Sequence, residues 1–118
     1  EAGLDRFVKI QKGQFTGREA LLLQRESGVP QEFITLEVDV DDADPMGNEP
    51  VFSGKEMIGR ATSGCYGHSV GKSLALAYVE SGTGSVGTEL ELEILDKRYP
   101  ARVIEESPCD PNNEKLRV

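Results

Sequence analysis

Two glycine-punctuated stretches carry the chemistry most readily named in this 118-residue chain. Gly67 to Ser73, GHSVGKS, has the look of a loop whose backbone N–H groups wrap phosphates while a lysine reaches the terminal ones. That loop needs four residues between its glycines and a helix after the Lys-Ser pair. Here three residues intervene, and Tyr66 stands where the first glycine should be. Leu74, Leu76 and Tyr78 then alternate with Ala75, Ala77 and Val79, the period of a buried strand. The second stretch, Gly82, Gly84 and Gly87, has the G-x-G-x-x-G spacing of a dinucleotide site, which must open a helix. Instead it opens Glu89 to Leu95, a polar/apolar alternation of period two, so the glycines read as a loop between antiparallel strands.

The remaining reactive side chains have bland readings beside them. Asp39, Asp41, Asp42, Asp44 and Glu49 form an acidic run suited to a hard cation, but Met46 and Ser53 occupy ligand positions of the calcium-loop spacing, which favours a solvated turn. His68 could serve as an acid, a base or a ligand, yet no clustered partner accompanies it. Cys65 lacks a visible base or positive field to make it a thiolate, and Ser63, Ser69 and Ser73 lack a triad. Arg60, Arg98 and Arg102 could clamp a carboxylate, although strand arginines commonly pack their stems on a barrel surface. The residues therefore define no catalytic set and no metal site.

Composition narrows the classes further. Thirteen basic against twenty-one acidic residues give a net charge of −8, which repels nucleic acid and anionic membranes at long range. No apolar run approaches the ~20 residues needed to cross a bilayer. The two cysteines, Cys65 and Cys109, belong to no C-x-x-C motif and fit a reduced, cytoplasm-like compartment. A chain of this length is one domain that buries roughly two thirds of its unfolded surface. The N-terminus lacks the basic and apolar regions of a secretory signal, and the lack of an initiator methionine points to an excised piece or a processed product.

The elements that must position these groups are mainly β. Residues 1–13 read as an extended connector whose Phe7, Val8 and Ile10 pack against something. Phe15-Thr16-Gly17-Arg18-Glu19 reads as a capping box with Phe15 as the hydrophobic staple, followed by helix formers from Ala20 to Arg25 and a stop at Gly28. Strands are expected over Phe33–Val40, Pro50–Ser53, Glu56–Ala61, Ser73–Val79, Thr88–Leu95 and Tyr99–Glu105, with a turn at Gly54-Lys55. One N-terminal helix followed by about six short strands predicts a small antiparallel β-barrel spanning 14–118, with its leading helix.

Four segments in fixed order add what spacing alone does not. Phe15 to Leu21, the turn Asp44-Pro45-Met46-Gly47-Asn48-Glu49, Gly59 to Gly64 and Lys72 to Val79 together resemble the C-terminal part of the glycine cleavage T-protein (aminomethyltransferase) family. The Asp-Pro-x-Gly-Asn-Glu turn, the Lys-Ser-Leu-Ala-x-Ala-Tyr-Val strand and Tyr99-Pro100-Ala101 are closest to the dimethylglycine and sarcosine dehydrogenase branch. The resemblance implies a parent enzyme that moves a one-carbon unit from an amine to tetrahydrofolate, with FAD in an upstream half of the dehydrogenase branch. It also implies that the catalytic acid and the pterin-gripping residues lie mainly in a folate-binding domain preceding this barrel. That domain is the expected partner, contacted through the apolar residues of Leu4 to Ile10. The fragment itself is then inactive, holds no cofactor and closes one side of the folate assembly, in the cytoplasm or, in a eukaryote, the mitochondrial matrix. A folate-contacting arginine near the terminus of T-proteins has only Arg117 as a counterpart, and the tail reads as frayed. The alternative is a stand-alone barrel that holds a small ligand or a partner protein.

Overall fold

The computed structural model describes residues 1–117. Six strands close into a barrel: β1 (Gln31–Val38), β2 (Pro50–Ser53), β3 (Glu56–Gly67), β4 (Lys72–Glu80), β5 (Glu89–Ile94) and β6 (Lys97–Ile104). Their order around the barrel is β1-β4-β3-β2-β5-β6, and every neighbouring pair is antiparallel, with β6 returning to β1. The mainly β barrel expected from the strand spacing is thus the fold, preceded by one helix, α1 (Arg18–Ser27).

Alternation decides what fills the interior. Leu36, Val51, Leu92 and Val79 are fully buried, each worth about 1.5–3 kcal/mol of transfer free energy. Ala61, Ala75, Ala77 and Ala101 sit among them. A six-stranded barrel is narrow, so small side chains must interleave with large ones. On β4 this puts Ala75, Ala77 and Val79 inside and leaves Leu74, Leu76 and Tyr78 half-buried outside, where Tyr78 meets Phe33 of β1 with ring centroids 5.2 Å apart.

β3 runs six residues beyond the expected Ala61. Thr62 to Gly67 reads as loop because it is small and glycine-rich. The barrel demands those small residues: a Cβ on Gly64 would lie 2.6 Å from Pro45, and one on Gly67 would lie 2.9 Å from a Leu74 methyl.

Two connections pass over non-adjacent strands, and the antiparallel directions send them to opposite ends of the barrel. The β1–β2 loop, 39–49, crosses the end where β3 finishes and β4 begins. The β4–β5 loop, 81–88, crosses the other end, where β1 begins. There Glu32 Oε1 accepts the amides of Gly82 (3.0 Å) and Gly84 (2.7 Å), stapling the glycine run to β1.

The amino-terminal segment corrects two expectations. Residues 1–13 are not extended; they form short 3-10 turns at Asp5–Phe7 and Ile10–Lys12, because carbonyls three residues back capture the amides of Phe7, Val8 and Lys12. The capping box also does not form. Thr16 and Gly17 make a turn, with Phe15 O accepting from Arg18 N. Gly17, with φ at +89°, becomes the N-cap, and no side chain caps the helix. A left-handed backbone is the conformation glycine adopts without a Cβ penalty, so the helix starts one residue later than the Thr16 cap would place it. The stop at Gly28 is observed. No residue from Glu1 to Gly28 is buried.

Candidate functional site

The turn Asp44 to Glu49 is built as a clasp over one barrel end. Pro45 is fully buried against Gly64. Gly47 takes φ of +128°, and a Cβ there would meet the Thr62 carbonyl oxygen at 2.7 Å, so only glycine seats the turn on β3. Asn48 N donates to Ala61 O and Ala61 N to Glu49 O, each at 2.8 Å. The Glu49 carboxylate accepts the Met46 and Gly47 amides, both at 2.8 Å. Asp44 accepts from the buried Ser73 hydroxyl at 2.7 Å, and Asn48 Oδ1 accepts from Arg60 at 2.9 Å. Two of the carboxylates that read as a cation loop, Asp44 and Glu49, are thus spent on hydrogen bonds that hold the loop. Among the described residues no three His, Cys, Asp or Glu side chains converge.

Asp42 completes the clasp by accepting the hydroxyl of buried Tyr99 at 2.7 Å, with Lys97 Nζ 3.9 Å from its other oxygen. The hydrogen bond from Tyr99, and then the Lys97 charge, hold the Asp42 carboxyl below its ordinary 3.8. A lowered folded-state pKa stabilises the barrel above the unfolded value, and that contribution is lost as pH falls through the folded one. Tyr99→Phe is therefore expected to move the Asp42 pKa back toward the ordinary value. Carboxyl carbon NMR titration of both proteins checks this, and an unchanged Asp42 midpoint would show that the hydrogen bond does not hold the carboxylate.

The remaining sequence candidates lie apart from one another. Lys72 stands at the start of β4, pairs with Glu37 at 2.9 Å, and leads into strand rather than helix. Arg102 approaches the same carboxylate at 3.9 Å. These groups line an open concavity of about 930 Å³ on the barrel flank, where Asp39, Asp41, Glu89 and Glu91 add further negative charge. His68 is exposed and packs edge-on against Tyr66, with ring centroids 5.1 Å apart. Ser63 and Ser69 are exposed. Cys65 and Cys109 are free thiols, both exposed. Arg98 stacks 3.7 Å above the Phe52 ring, donates to Gly54 O at 2.8 Å and pairs with Glu91 and Glu93, the packed-stem role expected of a strand arginine. Arg117 is exposed behind a 3-10 turn, Glu114–Leu116, whose first amides are held by the Asp110 carboxylate. The Gly82 and Gly84 amides that would cradle a pyrophosphate already serve Glu32, so a flavin does not fit this loop.

A second concavity, about 950 Å³, lies between the 3-10 turns and α1. Val8, Ile10, Leu21 and Val29 give it apolar walls, and Lys9, Lys12 and Arg25 outnumber Glu1 and Asp5 along it. Arg18 Nε fixes the connector by donating to Ile10 O at 2.9 Å, while Arg6 and Glu106 pair at 3.2 Å across to the segment after β6. Sequence reasoning finds the apolar connector but not the helix face opposite it, because Leu21 and Val29 read as ordinary helix and strand-entry residues. The arrangement offers contact surfaces and end closures, and among the described residues no serine or cysteine side chain is hydrogen-bonded to His68.

Comparison with known proteins agrees with this geometry. The family model described as the glycine cleavage T-protein C-terminal barrel domain matches residues 31–110. Mitochondrial dimethylglycine dehydrogenase of Rattus norvegicus is 45% identical over 107 residues, covering 90% of this chain and 12% of that protein. An aminomethyltransferase of Moorella thermoacetica is 43% identical over 104 residues, covering 88% of this chain and 28% of that protein. The crystal structure of the glycine cleavage system aminomethyltransferase T from Bartonella henselae superposes with a TM-score of 0.75 at 25% identity, over 85% of this chain and 28% of that one. The chain thus spans between an eighth and somewhat over a quarter of these relatives' length.

Proposed function

Because the chain belongs to the glycine cleavage T-protein C-terminal barrel family, we propose that it serves as the non-catalytic closing domain of a longer, tetrahydrofolate-dependent aminomethyl-transferring enzyme. The observation that carries this reading is that the groups of its motif-like stretches hold the fold itself. The acidic loop, the glycine run and the strand arginines all hold barrel ends or neighbouring strands. Residues 1–13 act as the connector from the preceding folate-binding domain, and 14–118 as the barrel with its leading helix. The barrel contributes a rigid wall to the folate assembly, and the catalytic acid belongs to the preceding domain.

Within the family, the reading favoured is the flavin-linked dimethylglycine or sarcosine dehydrogenase branch, supported by the rat dehydrogenase at 45% identity and by the Tyr99-Pro100-Ala101 stretch of β6. FAD then belongs to the parent's upstream half. The mitochondrial designation of that relative supports a matrix location. No helix among the described residues is long and apolar enough to cross a membrane. The 118-residue chain is expected to show no tetrahydrofolate-dependent turnover of dimethylglycine, sarcosine or an aminomethyl donor, and the full-length parent to show it. Formaldehyde release and methylenetetrahydrofolate formation measure this; turnover by the short chain would refute the closing-domain reading.

A further inference from the structure

We propose that the barrel end closed by the 39–49 loop is an interface for a separate protein, one that brings apolar pockets edged by basic side chains, and that Leu95 and Met46 are its anchors whatever the parent's chemistry. Leu95 and Asp96 form the two-residue turn between β5 and β6, since Ile94 pairs with Lys97, and both have positive φ, +50° and +62°. Turns of that kind are ordinarily made by Asn-Gly or Asp-Gly, because a left-handed backbone crowds a larger side chain. Here the first position is a leucine, 89% exposed, so the fold gains no burial in return for the strain. An uncompensated strained residue of this kind points to a use outside the fold. Met46 is 84% exposed on the clasp turn. The Glu49 carboxylate binds the Met46 and Gly47 amides, and the close approach of Gly47 to Thr62 seats the turn on β3, so the methionine is displayed on an ordered backbone. Ordering that would otherwise oppose association is thus in place before a partner arrives. Both anchors lie at one end of the barrel. Val51 pairs with Leu92, which carries the β5–β6 turn toward the residues preceding β2, and Lys97 beside the turn reaches Asp42 of the loop at 3.9 Å.

Topology and charge select the occupant. β1 begins and β6 finishes at the opposite end of the barrel, so the segment before β1 and the segment after β6 both leave from there, where Arg6 pairs with Glu106. The clasp end is therefore turned away from the places where the rest of the polypeptide joins the barrel. The 39–49 loop carries five acidic side chains and no basic one, and Asp96 adds a sixth carboxylate beside Leu95. Asp39, Asp41 and Asp96 are exposed and enter no ion pair among the described residues. Basic side chains around the pockets that take Leu95 and Met46 complement these three. A second copy related by a two-fold axis would set this acidic face against itself, which like-charge repulsion disfavours.

Three measurements test this. Leu95→Asn in the 118-residue chain should raise the thermal midpoint by about 3 °C or more, because asparagine tolerates the left-handed turn. A lowered midpoint would show that the leucine serves the fold, and overturns the proposal. Peroxide oxidation of Met46, followed by mass spectrometry, should run at the same rate in the 118-residue chain and in the full-length polypeptide. Slower oxidation in the full-length protein would mean that the parent itself covers this end, and slowing with rising concentration would mean self-association; either overturns the proposal. Asp41→benzoylphenylalanine in the full-length protein, irradiated in its source cells, captures the partner, which is then identified and purified. That partner should bind the unmodified full-length protein and lose ~10-fold or more of its affinity for the Leu95→Asn, Met46→Gln double variant. Added salt should also weaken the binding. Val86→Ser, in the β4–β5 loop at the opposite end, should leave it unchanged. Absence of a crosslinked protein, or a purified partner indifferent to the double variant, overturns the proposal.

Discussion

Gly59→Ala is expected to destabilise the barrel by about 3 kcal/mol or more, at the upper end for overpacking, and to lower the thermal midpoint by about 10 °C or more. Gly59 sits on β3 opposite Val79 of β4. A Cβ there would overlap the Tyr78 carbonyl oxygen and approach Val79 Cα at 2.7 Å. Both are backbone atoms of the neighbouring strand, so no rotamer change relieves the contact and the strands must separate. Gly82→Ala is the control: nothing lies within 4 Å of its Cβ, and only the positive φ of +88° opposes it, at about 1–2 kcal/mol. Equal midpoints for the two variants, read by circular dichroism, would show that β3 and β4 are not as close as described.

The second large effect is Leu92→Ala, expected to cost about 3–5 kcal/mol. Leu92 is fully buried on β5, paired with Val51 on one side and Tyr99 on the other. With alanines at 61, 75, 77 and 101 already lining the narrow interior, no large side chain is free to collapse into the void. Urea unfolding should show the loss in the midpoint with an unchanged slope. A loss below about 1 kcal/mol would mean that the interior relaxes around the deletion.

The period-two alternation of Glu89 to Ile94 and of Phe33 to Val38 makes the strands legible from sequence, since one face of each has to be buried. The four ordered segments make the family legible. Contacts whose partners lie far apart in the chain are not. Glu32 holds amides 50 and 52 positions away, and Asp42 meets a hydroxyl 57 positions away. Neither carboxylate carries a local signal of its role, so the loops read as solvated when they are end closures. β3 reads short for a related reason: Gly64 and Gly67 mark close approach of Pro45 and Leu74, and glycine within a strand looks like an interruption until its neighbour is known. The capping box fails on a local competition, since Gly17 offers the chain a left-handed turn that the Thr16 cap does not accommodate.

The candidate site is legible in the negative. The phosphate-loop imitation fails on spacing and the dinucleotide one on the strand that follows it, and the structure shows Lys72 paired with Glu37 and the Gly82 and Gly84 amides bound by Glu32. The apolar residues of the connector stand out in the sequence, but that α1 buries none of its ten residues is visible only in three dimensions.

Titrating tetrahydrofolate into three samples tests the central claim most directly: the 118-residue chain, the full-length polypeptide, and the full-length polypeptide truncated before this barrel. Calorimetry should find saturable binding to the full-length protein, none to the 118-residue chain, and strongly weakened binding to the truncated one. Saturable binding to the isolated chain, or full affinity in the truncated protein, would contradict the account of this barrel as a wall that completes a site built elsewhere.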